Sequence, residues 1–550
     1  MTAIRPLPAA LARRIARLSL ILLVLIPLMG GQRPVAARLD PVQSSAPAAF
    51  PSDWCHPFPR GAAGRPAAAG SASATPALYV KSSNPNGYDR FGESLAVDGD
   101  TMVIGAPWEA SKAKGVNGDQ TDNSSNKAGA VYVFVRSGES WIQQAYLKAS
   151  NTETEDQFGF AVAIDGDTIV VGALYEDSAA TGVNGPQDDN NAKQAGAAYV
   201  FVRNNGAWTQ QAYLKASNTN GEDFFGGSVA IAGNTIVVGA FGEASNATGV
   251  NGNQASNTAP SAGAAYVFVR NQTTWSQQAY LKASNAGGGE GFGRSLAVQG
   301  DTVAVGAHGE DSAVTEGDNG MGNAGAVYVF QRSLVQGQPQ WSQQAYLKAA
   351  VPGHDSFGGS VALDGETLVV GAYDEWSAAT GVNGNQNDDS ALSAGAAYVF
   401  VRSGTSWSQQ AYLKASNTDK EDHFGMAVAI DGDRVVVGAY DEDSAATGVS
   451  APGGDNSALS AGAAYLFNRH GTVWSQPTTI KASNTDGADY FGYAVAIAGD
   501  TVVVGAYCEA SAAPGIGANQ ADNSAPGAGA VYVMDLPELK IYMPRIQAVR

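Results

Sequence analysis

The chain has 550 residues, 67 of them Gly, with 51 Asp and Glu against 32 Lys and Arg for a net charge of −19, and two Cys. Hydrophobic residues at 44% leave ample material for a core and exclude global disorder, while two Cys exclude a disulfide-stapled miniprotein and a Cys-ligated zinc module. The acidity argues against nucleic acid as a partner, because that affinity rests largely on Lys and Arg neutralising phosphates.

In chain order, the first segment reads as an export signal. Arg5, Arg13, Arg14 and Arg17 precede an apolar run from Leu18 to Met29, and the small residues Val35-Ala36-Ala37 follow, the pattern of a positive n-region, an h-region and a cleavage site. The run of 12 residues falls short of the ~20 needed to span a bilayer; an uncleaved anchor is the alternative. Residues 1–37 are therefore expected to be a signal peptide and residues 38–76, rich in Ala, Pro and Gly, a flexible linker. The protein is then secreted or held at the cell surface, meeting a membrane only during export.

The dominant signal is a repeat. Phe-Gly recurs at Phe91, Phe158, Phe225, Phe292, Phe357, Phe424 and Phe491, at intervals of 67, 67, 67, 65, 67 and 67 residues. Each copy holds four apolar segments, in the second copy Phe158 to Ile164, Thr168 to Ala173, Ala197 to Arg203 and Trp208 to Lys215. These are β-branched and aromatic runs bounded by Gly, Asn and Asp, and so predict strands. Asp165-Gly166-Asp167 and Asn204-Asn205-Gly206 are hairpin turns between the first and second pair. A long polar loop, Tyr175 to Gln194, separates the second strand from the third. The fold class is all-β, and a repeated four-stranded antiparallel meander predicts a seven-bladed β-propeller, with a β-solenoid as the competing architecture.

The termini predict how the ring closes. Trp141, Trp208, Trp275, Trp341, Trp407 and Trp474 each open a fourth strand, but the seventh copy stops after Val531-Tyr532-Val533-Met534. Tyr79-Val80-Lys81-Ser82-Ser83 matches Tyr146-Leu147-Lys148-Ala149-Ser150, so the N-terminal segment is expected to supply the missing strand. The propeller spans residues 77–535, and residues 536–550 form a C-terminal tail. Cys508 ends the second strand of blade seven and Cys55 lies in the linker that approaches it. In an exported protein these two either pair or remain two thiols.

Phe-Gly, a strand, Val-Gly-Ala and then Gly-x-x-Tyr-Val-Phe resemble the FG-GAP repeat, and Gly105-Ala106-Pro107 even carries the full ending. The resemblance covers 77–535 and implies a propeller like that at the head of integrin α chains, with a binding or adhesion role. Calcium is the cofactor it raises, through D-x-D-x-D-G loops in the family. Here those positions hold only turns such as Asp98-Gly99-Asp100 and Asp431-Gly432-Asp433, too few oxygens for an ion that takes 6–8 ligands.

The acid is placed periodically. Two residues before each Phe stands Asp89, Asp156, Asp223, Glu290, Asp355, Asp422 or Asp489; eighteen after it stands Glu109, Glu176, Glu243, Glu310, Glu375, Glu442 or Glu509. Twenty after it is always Ser, from Ser111 to Ser511. Both acidic positions fall on the face of the two–three and four–one connections. Two readings stand: the first set caps turns through Asx-type bonds and the Glu and Ser serve loop backbone, or the first set binds cations and the Glu face a ligand. Trp108 and Trp376 occur once each in the loops of this face and are candidate binding anchors.

No nucleophile elbow, P-loop or H-E-x-x-H occurs, and the five His are scattered. Acids repeated in every blade suit a catalytic pair poorly, so the expected role is not enzymatic. The leading expectation is a propeller that binds an extracellular protein or polysaccharide through its long-loop face. The alternatives are a polysaccharide hydrolase or lyase and a purely structural surface protein.

Overall fold

A computed structural model of the chain describes Cys55 and residues 77–313, 315, 320–451 and 453–535. The expected signal, linker (Cys55 apart) and C-terminal tail lie outside the described residues. Among those residues there is no helix; seven antiparallel sheets follow one another along the chain. Blade two runs Phe158–Asp165, Thr168–Ala173, Ala197–Asn204, Ala207–Leu214, in simple meander order. First strands of neighbouring blades touch in sequence, and those of blades seven and one touch each other. That closes a ring, and the solenoid alternative falls away.

Blade seven is completed as expected. Leu78–Val80 pairs antiparallel with Ala530–Asp535, Tyr79 lying opposite Tyr532, and the sheet continues to Thr501–Ala506 and Phe491–Ala498. Cys55 and Cys508 are joined by a disulfide with Cα atoms 5.4 Å apart, fixing a second N-terminal point to the same blade.

Packing explains the repeated residues. Second strands such as Thr168–Ala173 are buried throughout, because both faces of each blade are covered by neighbours. Val103, Val131 and Val133 of blade one pack in one cluster with Phe158, Ile169, Val171 and Tyr199 of blade two. The Phe158 ring meets Tyr199 edge-on at 5.3 Å. Near the axis the blades come so close that glycine is required: a Cβ on Gly172 would sit 1.9 Å from the Gly226 oxygen. One on Gly505 would sit 2.1 Å from that of Gly92, so the last contact of the ring is like the others.

The rim uses side-chain hydrogen bonds. In the fourth strands the second Gln of each Gln-Gln pair is a β-bulge, which re-aims its side chain. It then accepts the indole N–H of the next blade's Trp, Trp208 to Gln144 at 2.7 Å and Trp474 to Gln410 at 2.9 Å. Blade seven has no such Trp, and the position in blade six is Pro477, where the fourth strand splits into Val473–Trp474 and Thr478–Ile480.

Candidate functional site

The repeated Glu residues lie on the long-loop face in sequence but inside the protein in space, none more than 5% exposed. Each is paired with the Lys that ends its blade's fourth strand. Lys148 reaches Glu109 at 2.9 Å, Lys215 reaches Glu176 at 2.8 Å, and Lys81, from the closing strand, reaches Glu509 at 2.9 Å. Lys282, Lys348, Lys414 and Lys481 repeat the pair with Glu243, Glu310, Glu375 and Glu442. The second carboxylate oxygen usually takes an Asn amide from the incoming connection, Asn151 to Glu176 at 3.0 Å. The same Asn accepts the Tyr199 hydroxyl at 2.6 Å. Blade five has Val351 where the Asn would be, and Tyr412 donates to Glu375 at 2.8 Å. The repeated Ser close the network, Ser111 against the Tyr146 hydroxyl at 2.6 Å. These Glu are therefore internal ion pairs, not a surface offered to a ligand.

The acids before each Phe cap turns. Asp89 accepts the Asn86 N–H at 2.8 Å, Asp156 that of Glu153 at 2.9 Å, and Asp223, Asp422 and Asp489 do the same three residues back. Asp355 takes the Gly353 N–H at 2.9 Å, and Glu290 that of Gly287. Burial, followed in most blades by the nearby Glu charge, pushes these carboxyls up, Asp89 to about 7 and Asp156 and Asp422 to about 8. Among the described residues no group of three or more His, Cys, Asp or Glu side chains converges as metal ligands would.

Between these fixed columns lie columns that vary. The residue before each Phe is Arg90, Gln157, Phe224, Gly291, Ser356, His423 or Tyr490, and the end of the second strand is Pro107, Leu174, Phe241 or His308 in blades one to four and Tyr373, Tyr440 or Tyr507 in the last three. First strands wall the axial channel, so these positions ring its mouth on the long-loop face. One arc crosses four blades. Tyr373 stands 6.4 Å from His423, which stacks on Tyr440 at 5.3 Å. Tyr440 meets Tyr493 at 5.6 Å, and Tyr493 meets Tyr507 at 4.5 Å. Arg90 lies 5.5 Å from Tyr507 and 3.5 Å above the Trp108 ring, with Lys127 at 4.3 Å from the same ring. A second arc joins Tyr175, Phe224 and Phe241 over blades two and three, with Arg294 of blade four at 5.1 Å from Phe241.

Charge is placed unevenly over this mouth. The Arg294 charge acts on Tyr175, Tyr373 and Tyr493, from blades two, five and seven, and so lies near the axis. Arg90 pairs with Glu93 at 3.5 Å, and burial raises the Glu93 carboxyl. Burial and Arg294 hold His308 down at about 4. Burial acts on His423 in the same direction, but Asp441 at 3.0 Å and Asp374 at 3.9 Å outweigh it and raise its pKa. Asp374 also accepts the Ser356 hydroxyl at 2.8 Å.

Of the two tryptophans singled out in sequence, Trp108 belongs to this mouth, half-buried between Arg90 and Lys127. Trp376 stands further along its loop, half-buried 6.3 Å from the exposed His354 ring. Sequence reasoning missed the rest of the ring. The signal was present, since varying columns stand beside invariant ones in every copy. The long loops are also less free than their composition implies: Val116 bridges to Leu147 and Asn117 accepts the Tyr146 N–H at 2.9 Å, laying the loop over its own fourth strand.

Fold and site together define a closed seven-bladed propeller with one differentiated channel mouth. The FG-GAP repeat family model matches residues 80–134, 141–201, 208–268, 275–330, 341–400, 407–467 and 474–534, and the chain belongs to that family. No curated protein matches it. Among solved structures, one from Bacteroides uniformis named as a 6-phosphogluconolactonase is 8% identical, with 75% of this chain and 90% of that one covered at a TM-score of 0.39. A likeness at that level carries no functional argument.

Proposed function

We propose that the protein is an exported binding or adhesion propeller whose ligand, an extracellular protein or polysaccharide, seats on the channel mouth of the long-loop face. The carrying observation is that aromatic rings, Trp108, Tyr373 and Tyr493 half-buried and Tyr440 and Tyr507 buried, gather there with unlike charges at columns that are not uniform through the repeat. Aromatic rings flanked by Arg are the usual anchors of recognition surfaces, and Tyr and Trp offer both an apolar face and a polar tip. The Cys55–Cys508 disulfide supports an oxidising destination. An array of glycans and extracellular proteins, probed with the wild type and with Trp108→Ala and Tyr373→Ala, tests the reading. Hits lost in the variants support it; hits retained at wild-type strength overturn it.

One observation favours a second reading, a hydrolase or lyase acting on polysaccharide. His423, between Asp441 and Asp374, is the single His–carboxylate cluster among the described mouth residues and is placed to exchange protons. Chain cleavage of a polysaccharide hit, lost in His423→Gln, would establish it; an intact polymer would exclude it for that ligand.

A further inference from the structure

Away from the axis the long-loop face departs from the repeat along one run of seams. Near its end a long loop offers a backbone oxygen to the connection entering the next blade. In blades one to three the residue is Asn126, Lys193 or Pro260, which accepts the N–H of Glu155, Glu222 or Gly289 at 2.8–2.9 Å. In blades five to seven it is Leu392, Leu459 or Pro526, accepting from Glu421, Ala488 or Tyr88 at 2.8 Å. The backbone is held alike on both sides of the ring, so the side chains make the difference. Asn126 turns its amide to Glu155 at 3.0 Å, whereas Leu392 and Leu459 are left 45% and 55% exposed. Tyr88, 39% exposed, stands at the next seam, between blades seven and one. The other large apolar side chains exposed among the described residues, Ile142, Leu334, Val335 and Val473, belong to third–fourth hairpins at the opposite end of the blades.

Charge follows the same division. The loops and connections of the last three blades (373–395, 414–423, 440–462, 481–490 and 507–529) hold ten Asp and Glu and one Lys, Lys420, besides the buried Glu–Lys pairs and the capping acids. The matching segments of the first three blades (107–129, 148–157, 174–196, 215–224 and 241–263) hold eight acids and four Lys. The excess is 10 − 1, or nine negative charges, against 8 − 4, or four. Asp389, Asp419, Glu421, Asp455 and Asp486 of the acidic sector are exposed. The exposed apolar side chains of this face therefore stand where its negative charge is densest.

We propose that blades five to seven dock a basic, amphipathic segment of a partner protein, its apolar side chains on Leu392, Leu459 and Tyr88 and its Lys or Arg among the loop acids. The inference rests on the binding reading above and narrows it from protein or polysaccharide to protein. A leucine offers no flat face to a sugar ring, whereas exposed apolar residues rimmed by polar ones mark protein contacts. Complementary charge draws a basic segment to this sector and turns away an anionic polymer or an acidic lipid surface. The bonded carbonyls of Leu392 and Leu459 hold both side chains in place beforehand, which lowers the ordering cost of binding.

A fluorescein-labelled peptide of about 15 residues, Leu on one face and Lys on the other, titrated into the full chain by fluorescence anisotropy, tests the surface. It should bind with a dissociation constant on the order of 10 μM, and more weakly as salt rises. Counterparts with Glu in place of Lys, or Ser in place of Leu, should bind at least ~10-fold more weakly. Leu392→Ser combined with Leu459→Ser should weaken the Leu/Lys peptide at least ~10-fold with little change in Tm, because both side chains are exposed. Ile142→Ser combined with Val473→Ser, exposed at the opposite end of the blades, should leave binding unchanged. Equal binding of the three peptides, or wild-type binding by the L392S/L459S variant, overturns the proposal. A neutral glycan held through Trp108, with no peptide bound, overturns it too while leaving the binding reading in place.

Discussion

Two sets of side chains share the long-loop face and follow opposite rules. The Glu, Lys and Ser are the same in every blade, the turn-capping acid is Asp in all but blade four, which has Glu290, and nearly all of them are sealed inside. The mouth residues vary around the axis, although Tyr373, Tyr440 and Tyr507 share one column, and they range from buried, as Arg90 and Tyr507, to half-buried, as Trp108 and His423. In a ring built from one repeated unit, a position that must satisfy its own blade has the same partners seven times and so takes the same residue. A position that faces a single ligand on the axis has no reason to repeat. Internal invariance here reports folding, and departure from it marks where the molecule meets something else.

The largest way to break the invariant set is to open the ring. Deleting residues 77–84 removes the strand paired with Ala530–Asp535 and leaves Glu509 buried without Lys81. Tm should fall further than with any single substitution; an unchanged melting curve would show that closure contributes nothing. Next comes a single ion pair. Lys215→Met leaves the buried Glu176 carboxylate uncompensated and should cost about 3–5 kcal/mol in denaturant unfolding. Adding Glu176→Leu should recover most of that loss, because an apolar pair of similar volume can replace a buried ion pair. Failure of the double variant to recover would mean the Asn151 and Tyr213 bonds to Glu176 matter more than the charge pair.

The fold was legible because its signals are periodic. Seven Phe-Gly copies, the hairpin glycines and the match of Tyr79-Val80-Lys81 to Tyr146-Leu147-Lys148 predict the blades and their closure without any long-range information. The network was only half legible. The Lys of each Tyr-Leu-Lys repeats as regularly as the Glu, yet in blade two Lys215 and Glu176 lie 39 residues apart, and spacing alone does not say that a loop folds back to join them. With the Lys unpaired on paper, the Glu read as surface acid. The mouth was hidden by the search for recurring columns, although Arg90, His423 and Tyr490 occupy one and the same column. Trp108 was recognised because a lone tryptophan stands out by type, whereas a Tyr among 21 does not.

A gentler perturbation is pH. The capping acids have folded pKa values raised to about 7 for Asp89, Asp223, Glu290 and Asp355, and to about 8 for Asp156 and Asp422. In the unfolded chain such groups lose their proton near ~4. Between these limits the folded state holds more protons, so stability falls as pH rises. Their contribution is complete below about pH 4 and is lost on passing through about 7–8. His423, raised by its carboxylates, acts in the same sense, and His308, lowered to about 4, in the opposite one. The buried lysines, whose pKa values burial lowers, add stability only toward alkaline pH. Tm should therefore be lower at about pH 8 than at about pH 5.5. Asp156→Asn, which cannot ionise, should flatten part of that slope, and an unaltered slope would remove these acids as its source.

The smallest effect on stability belongs to the mouth, where the comparison is sharpest. Trp108 is half-buried, and its main contacts are the Arg90 guanidinium and the Lys127 ammonium over its ring. Losing a cation–π contact at a partly exposed site costs about 0.5–1 kcal/mol, well below the ion-pair loss. Against a ligand identified on the array, the same substitution should cost at least ~2 kcal/mol, a loss of about thirtyfold in affinity, as expected for an aromatic anchor. Lys215→Met should show the reverse, a large fall in stability with affinity unchanged at temperatures where it stays folded. If instead Trp108→Ala unfolds the ring, or Lys215→Met loses ligand while folded, the division between repeating interior and unrepeated mouth does not hold.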